Sequence, residues 1–236
     1  MILRRRWPEP PLESDLLTGP GQQLLSSWYE PLSPSNVRVN LVASRSGDTT
    51  GHDGTSSSLS SPADRIVLKA IRSHADAVVV GATTVRRETV PVPSGSPLVV
   101  LSRSGDLGGF RITHRVGEPS TVVVVTSATQ PPRERDSALD LTWLTLSERD
   151  LDDPALLLSV FRDQGWNSLL LEGGPTTIVP FAAAGLIDEL CLTTPQHLIE
   201  TPSQVFSWWP ETDRDWTSLQ RLEGEDSVWF HRLSAR

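Results

Sequence analysis

Cysteine is almost absent from this chain of 236 residues, in which Cys191 is the only one. A single cysteine excludes an intrachain disulfide and a multi-cysteine metal site, so we expect no bound metal. Cys191 stands between two leucines, a setting typical of a small residue buried in the core. The cysteine content therefore predicts a fold that depends on its apolar core.

Long hydrophobic runs and an excess of positive charge are missing as well. No apolar segment approaches the roughly 20 residues that a membrane-spanning helix needs, and none follows the basic residues 4–6, which predicts the absence of a secretory signal. The net charge of −8 is opposite in sign to that of a typical nucleic-acid-binding domain. We therefore expect a cytoplasmic protein that binds neither membranes nor nucleic acids.

Short β-branched runs alternate with amphipathic or polar segments from residue 37 onward. Several runs are continuously apolar, as is typical of strands buried on both faces of a largely parallel sheet. The alternation of strands and helices indicates an α/β domain with helices on both faces of one sheet. The predicted strands are 37–43, 76–81, 97–102, 121–126, 141–146, 167–172, 188–194 and 227–233.

Three helices have clear start signals. One begins at Ser61-Pro62, a second at Asp153-Pro154 and a third at Pro175, because proline suits the first helical turn and Ser or Asp suits the preceding cap. Gly165 and Gly185 are placed to end the second and third helices.

The first 36 residues differ in composition from the rest. Residues 1–36 are rich in Pro, Ser and Gly and precede the β-branched runs, so we predict an irregular N-terminal arm. No repeat follows, and we predict a single domain over residues 37–236.

The most informative segment is LLLEGGPTT, at residues 169–177. An apolar strand delivers Glu172 and two glycines to a turn, and a helix follows. Gly173 and Gly174 would let a ligand approach the backbone closely, and a helix N-terminus offers free N–H groups to a phosphate or pyrophosphate. Gly-Gly alone is typical of an ordinary strand-to-helix turn. Glu172 at the strand end and the Pro-Thr-Thr sequence that opens the helix favour a nucleotide site instead.

Three further apolar strands end in groups suited to a nucleotide. One ends in Gly81-Ala82 followed by threonines, one in Ser102-Arg103 and one in Thr126. A serine and a fork-shaped cation suit the ribose 2′-phosphate that distinguishes NADPH from NADH, although an arginine in this place is more often simply solvated. The G-x-G-x-x-G fingerprint is absent, so a Rossmann domain has no direct support.

Six segments in this order resemble the bacterial pyrimidine reductase family of riboflavin biosynthesis, in its stand-alone actinobacterial-type branch. They are VRVNLVASRSGD (37–48), SLSSPADR (58–65), IRSHADAVVVGATTVRRE (71–88), PLVVLSRSGDL (97–107), VVVVT (122–126) and LLLEGGPTTIVPFAAAGLIDELCLTTP (169–195). The resemblance implies a three-layer, dihydrofolate-reductase-like α/β fold whose mostly parallel central sheet is flanked by helices. No H-x-E…P-C-x-x-C pattern is present, so we expect no attached zinc deaminase.

The resemblance also implies a function. It implies a homodimer that uses NADPH to reduce a ribosylamino-pyrimidinone phosphate, a small phosphorylated heterocycle, to its ribitylamino form. The implied cofactor contacts are Ala43, Ser58, Gly81, Ala82, Thr84, Ser102, Arg103, Thr126, Gly173, Gly174, Pro175, Thr176 and Thr177. The implied substrate contacts are Asn40, Ser56, Arg65 and Glu172.

The reduction requires few protein groups besides the cofactor. The protein must align the hydride donor with the acceptor and supply a proton to the incipient alcohol or amine. A protonated carboxylic acid, or a water held by one, would serve, and the candidates are Glu172 and Glu88. In the alternative interpretation Glu172 caps the following helix, and Glu88 is a solvated residue beside Arg86 and Arg87.

The chain departs from the family pattern on the substrate side. Asn40 stands where many members carry Lys, Ser46 stands where the first turn usually has Asp, and residues 89–93 replace the usual Asp/Asn-Pro-x-Leu loop. The cofactor side is nearly intact. Two alternatives therefore stay open: an NADPH-dependent reductase of another heterocycle, such as a pterin or a dihydrofolate-like substrate, and a non-catalytic NADPH-binding protein.

Overall fold

The computed structural model describes residues 1–115, 120–129 and 139–236. Its strands are β1 (Ile2–Trp7), β2 (Leu12–Asp15), β3 (Asn36–Val42), β4 (Ala77–Gly81), β5 (Val90–Pro91), β6 (Leu98–Leu101), β7 (Ile112–Thr113), β8 (Thr121–Thr126), β9 (Asp140–Thr145), β10 (Ser168–Leu171), β11 (Glu189–Thr194), β12 (Trp216–Glu223) and β13 (Trp229–Ala235). Its helices are α1 (Gly19–Trp28), α2 (Pro62–Arg72), α3 (Ala82–Arg87), α4 (Glu148–Asp152), α5 (Pro154–Asp163) and α6 (Pro175–Ala183). Over these residues, no helix is both long and apolar enough to cross a membrane.

One large sheet organises the described part of the chain. Its strands lie in the order β2-β1-β12-β13-β11-β3-β10-β4-β6-β8-β9. The seven strands from β11 to β9 run parallel, and the other four pair antiparallel along one side. The predicted mostly parallel sheet is confirmed, and the eight predicted strands lie within two residues of observed ones.

Helices cover both faces of this sheet. Alternate residues of a strand point to opposite faces, so neighbouring residues of β4 join two different cores. In β4, Val79 joins a core that contains Phe161 of α5 and Phe181 of α6. Val78 and Val80 join a second core with residues of α1, α2 and α3. Burying one such aliphatic side chain contributes about 1.5–3 kcal/mol. The three-layer α/β arrangement is therefore confirmed.

The prediction of an irregular N-terminal arm is wrong. β1 pairs with β12 and β2 pairs with β1, so the first residues extend the main sheet. The Thr18 hydroxyl caps α1 by accepting from the Gly21 N–H, and Leu25 and Trp28 are buried. The prolines and glycines that indicated irregularity lie in turns and in the first turn of α1.

A buried ionic cluster attaches the end of α1 to the sheet. The Glu189 carboxylate on β11 accepts from Arg38 Nη2 at 2.9 Å and from Arg232 Nε at 2.7 Å. Both arginines also donate to backbone carbonyls of residues 28–30. Burial alone would raise the pKa of Glu189, but the hydrogen bond from Arg232 and the charges of both arginines outweigh it and lower the pKa.

Candidate functional site

Two adjoining cavities lie at the carboxyl ends of the parallel strands. The large cavity, of about 1040 Å³, lies beside α2 and the ends of β3, β4 and β10. The small cavity, of about 400 Å³, lies between the ends of β4 and β6 and helices α5 and α6. Thr83 and Thr176 line both. Ligands of open α/β sheets bind at this edge, and the two cavities together suit an elongated ligand.

The turn at 172–177 lies between the two cavities and joins a strand to a helix, as the sequence predicts. The Glu172 N–H donates to the Val79 carbonyl at 2.9 Å, which extends the β10–β4 pairing, and α6 then begins at Pro175. Gly174 is the N-cap and supplies no side-chain cap. The N-terminus of α6 therefore lies beside the cavities without a side chain in front of it.

Gly81 allows this helix to lie close to the end of β4. A Cβ at position 81 would lie 2.6 Å from the Thr177 Oγ1, well inside van der Waals contact. A Cβ at Gly173 would lie 3.2 Å from the same oxygen. Gly81 thus allows the close approach of α6 to the end of β4, and the space beside Gly173 is also tight.

Glu172 forms a two-pronged ion pair with Arg72 of α2. Arg72 Nε and Nη2 donate to the two carboxylate oxygens at 2.7 and 2.6 Å, and each side chain is 13% exposed. Burial alone would lower the pKa of Arg72, but the charge and hydrogen bonds of Glu172 outweigh it and raise the pKa. The interpretation of Glu172 as a helix cap is wrong, because its carboxylate binds the Arg72 guanidinium and α6 has no side-chain cap.

Glu88 and Ser56, two predicted site residues, contact each other. The Glu88 carboxylate accepts from the Ser56 N–H at 2.9 Å and from its hydroxyl at 2.6 Å. Both line the large cavity. Glu88 is therefore half-buried and holds the loop before α2, and it is not the solvated residue of the alternative interpretation.

Cations surround the large cavity although the chain is acidic overall. Arg65 and Lys69 lie one turn apart on α2, and Arg87 lies on α3; all three are exposed and line the cavity. Their side chains form no hydrogen bond or ion pair with other residues in ranges 1–115, 120–129 and 139–236. Such cations attract an anionic ligand.

The small cavity contains the predicted cofactor residues of β4, β6 and α6. Gly81, Ala82, Ser102, Arg103 and Thr177 line it. Arg103 donates to the Asp152 carboxylate of α4 through both Nη atoms, and this pairing raises the Arg103 pKa. Thr84, Gly173, Gly174 and Pro175 line the large cavity instead.

Three predicted cofactor contacts line neither cavity. Thr126 is fully buried and its hydroxyl donates to the Arg103 carbonyl at 2.8 Å, while Ala43 is buried against the sheet. The exposed Ser58 hydroxyl donates to Asp53 at 2.8 Å. With bonds from Thr55, this contact lowers the pKa of Asp53 to about 2. Thr126 and Ser58 stabilise turns, and the structure brings none of the three residues to the lining of either cavity.

Asn40 and Ser46, two positions that depart from the family pattern, lie in different parts of the structure. Asn40 lines the large cavity, and its amide has no hydrogen-bond partner within the described part of the chain. Ser46 donates to Asp48 at 2.5 Å in the turn after β3, outside both cavities. Asn40 is thus available to a ligand, whereas the Asp48 carboxylate is held by the serines of its own turn.

Among the side chains that line the large cavity, sequence reasoning missed Arg72, Asp64, Lys69 and Arg87. Arg72 was not recognised, although it lies on the same face of α2 as Arg65. Asp64 was not recognised either, although it stands in the segment SLSSPADR. It is buried and accepts hydrogen bonds from Ser60 and Thr193, each at 2.6 Å.

Residues 35–195 match the family model described as the RibD C-terminal domain. The chain belongs to the RibD C-terminal domain family. Every predicted site residue lies within the range matched to this family, whereas β12 and β13 lie beyond it. No curated protein sequence matches the chain.

Solved structures share the fold at low sequence identity. A diaminohydroxyphosphoribosylaminopyrimidine deaminase/5-amino-6-(5-phosphoribosylamino)uracil reductase from Thermotoga maritima is 20% identical, with a TM-score of 0.65 over 86% of this chain and 57% of that one. This chain therefore spans little more than half the length of that relative. A pyrimidine reductase-like protein from Corynebacterium diphtheriae is 18% identical, with a TM-score of 0.61 over 91% of this chain and 98% of that one. The riboflavin biosynthesis reductase of Saccharomyces cerevisiae is 15% identical, with a TM-score of 0.54 over 91% and 98%.

Proposed function

We propose that this protein is an NADPH-dependent reductase that converts a ribosylamino-pyrimidinone phosphate into its ribitylamino form in riboflavin biosynthesis. The observation that supports this most strongly is the pair of adjoining cavities with the N-terminus of α6 beside them. Membership of the RibD C-terminal domain family supports it further, since the Thermotoga relative carries a uracil reductase in its name.

The residues between the cavities fit a nicotinamide dinucleotide. A Cβ built at Gly174 would meet nothing within 4 Å, so open space lies beside the first turn of α6. The positive end of a helix favours a pyrophosphate there. Gly174 to Thr177 would hold the pyrophosphate, and Ser102 and Arg103 would hold the 2′-phosphate. When bound, NADPH supplies the hydride.

The large cavity fits a phosphorylated heterocycle. Arg65, Lys69 and Arg87 offer positive charge to the phosphate. The Glu172 carboxylate accepts hydrogen bonds, as the N–H groups of a pyrimidinone require, and Asn40 offers an amide that both donates and accepts. Arg72 orients Glu172 for this role.

The decisive experiment follows NADPH oxidation with the phosphorylated ribosylamino-pyrimidinone as substrate. We expect turnover with NADPH, slower turnover with NADH, and loss of kcat/KM when the substrate lacks its phosphate. The double variant R65A/K69A should lose that phosphate preference, since it removes two cations of the cavity. Lys69 and Arg65 form no ion pairs within the described residues, so the double variant should still fold.

Dihydrofolate and a pterin serve as competing substrates in the same assay. Faster turnover of either one would contradict the proposed substrate and support a reductase of another heterocycle. Thermal protection by NADPH without turnover of any substrate would support a non-catalytic binding protein. Absence of NADPH binding would contradict both proposals.

A further inference from the structure

Asp64 is a buried carboxyl at the wall of the large cavity. It is 6% exposed, and its two oxygens accept from the Ser60 and Thr193 hydroxyls at 2.6 Å each. Within ranges 1–115, 120–129 and 139–236 it forms no salt bridge. Asp64 therefore differs from Glu172, whose charge a guanidinium neutralises.

The direction of this side chain is unusual for its position in the helix. Asp64 is the third residue of α2, where an acid commonly accepts from the backbone N–H of the N-cap. Here the N-cap Ser61 accepts from the Asp64 N–H, but the Asp64 carboxyl turns to Ser60 and to Thr193 of β11. The Asp64 carboxyl thus bonds to Ser60 at the cavity and to the sheet, and not to the backbone of its own helix.

The surroundings raise the pKa of Asp64 above its usual value. Burial raises its pKa; the hydrogen bonds from Ser60 and Thr193 and the charge of Arg65 lower it, and the charge of Glu172 raises it. The net direction is upward. Of the other two cations of α2, Arg72 is paired with Glu172 and Lys69 is exposed at the cavity.

Ser60 connects this carboxyl to the cavity. Ser60 is half-buried and lines the cavity, and its hydroxyl lies against Asp64. A hydroxyl both donates and accepts, so a protonated Asp64 donates to Ser60 while Ser60 donates to a ligand. We propose that Ser60 is the catalytic residue that protonates the substrate and that Asp64 supplies the proton through it.

The proposed step is balanced and rests on the proposed function. Hydride from the nicotinamide of NADPH adds to the carbon of the substrate C=N or C=O bond. The electron pair of that bond moves to the nitrogen or oxygen, which takes the Ser60 hydroxyl proton. Ser60 takes the Asp64 proton in turn. The products are NADP⁺, the reduced amine or alcohol, and an Asp64 carboxylate that solvent reprotonates.

The test compares Asp64→Asn, Ser60→Ala and Thr193→Val with the unchanged protein over a range of pH. General acid catalysis contributes about 100-fold or more, so D64N and S60A should lower kcat by about that factor with little change in the Kd of NADPH. The activity of the unchanged protein should fall as pH rises through the Asp64 pKa. D64N should lose that dependence, and D64E should recover part of kcat.

Thr193→Val is the matched control. It removes the other hydroxyl that donates to Asp64, and this hydroxyl takes no part in the proposed proton transfer. It should keep kcat on its low-pH plateau and shift the alkaline limb of the profile to higher pH, since it removes a hydrogen bond that stabilises the carboxylate. A kcat and a pH profile in D64N equal to those of the unchanged protein would overturn the proposal and leave Asp64 as a structural link to β11.

Infrared spectroscopy makes the test independent of turnover. A protonated buried carboxyl has a C=O stretch that disappears as it ionises, and this band should be present in the unchanged protein and absent from D64N. If no substrate is turned over but the band is present, the proposed function fails, and Asp64 is nevertheless shown to carry a proton. If the band is absent at the pH of the activity assay, the proposal about Asp64 fails whatever the substrate.

Discussion

Arg72 and Glu172 meet through two parallel hydrogen bonds of 2.7 and 2.6 Å at the wall of the large cavity. They lie 100 residues apart in the chain and join α2 to the turn after β10. Arg72 also donates to the Pro91 carbonyl at 3.2 Å. One side chain thereby sets the positions of the acid, the helix and the loop after α3.

We predict that Glu172→Gln lowers kcat/KM for the pyrimidinone by about tenfold or more and destabilises the fold by about 2 kcal/mol. The amide keeps the shape of the side chain but loses the charge that Arg72 and the substrate require. Steady-state kinetics and urea unfolding measure the two effects.

Arg72→Lys is the informative companion, because it keeps the charge and removes the planar fork. It should also lower kcat/KM, with the Kd of NADPH unchanged in both variants. Kinetics in R72K that match those of the unchanged protein would show that charge alone matters.

Arg103 should select NADPH over NADH. It lines the small cavity at the end of β6, and Asp152 holds its guanidinium there. Arg103→Ala should weaken NADPH binding by about tenfold and leave NADH binding unchanged. Fluorescence titration with both cofactors measures the ratio.

Asp152→Asn tests the same site from the opposite side. Removing a carboxylate beside the expected 2′-phosphate should tighten NADPH binding and leave NADH unaffected. Equal changes for both cofactors would place the 2′-phosphate elsewhere.

The sequence predicted those parts of the fold and site that depend on local signals. Continuous apolar runs identified the strands buried on both faces, and Gly-Gly-Pro identified the start of α6. β1 was missed because three of its six residues are arginines and only Leu3 is fully buried. β12 was missed because only Gln220 and Leu222 are buried in it. β1 and β12 therefore have a weak apolar pattern, unlike β13 on the same side of the sheet, which has four consecutive buried residues and was predicted.

The missed cavity residues have a different explanation. Arg72 acts through a residue 100 positions away, and Asp64 contacts Thr193 across 129 positions. Helix signals account fully for an acid at the start of α2 and a base in its last turn. Only the tertiary arrangement distinguishes these two side chains from ordinary helix-end charges.

The buried Glu189 cluster should make stability depend on acid pH. The Glu189 pKa is lowered in the folded protein, so its contribution is complete above the pKa of the unfolded chain and is lost as pH falls through the folded pKa. Glu189→Gln leaves Arg38 and Arg232 without a counter-charge and should cost about 3–5 kcal/mol at neutral pH.

Urea unfolding at several pH values measures this linkage. The difference in unfolding free energy between E189Q and the unchanged protein should shrink as pH falls. A difference that is constant from neutral to acid pH would mean that Glu189 contributes through its shape and not through its charge.

The close approach of α6 to β4 predicts that a substitution at Gly81 is harmful and that a second substitution at Thr177 relieves the harm. Gly81→Ala places a Cβ 2.6 Å from the Thr177 Oγ1, so the start of α6 must move. Overpacking of this kind costs about 1–3 kcal/mol, and the displaced helix N-terminus should weaken NADPH binding. Adding Thr177→Ala removes the clashing oxygen and should restore much of the lost stability. Adding Thr177→Val keeps an atom in the same place and should not restore it. Rescue by valine as well as alanine would show that the hydroxyl chemistry, and not the space beside Gly81, sets the position of α6.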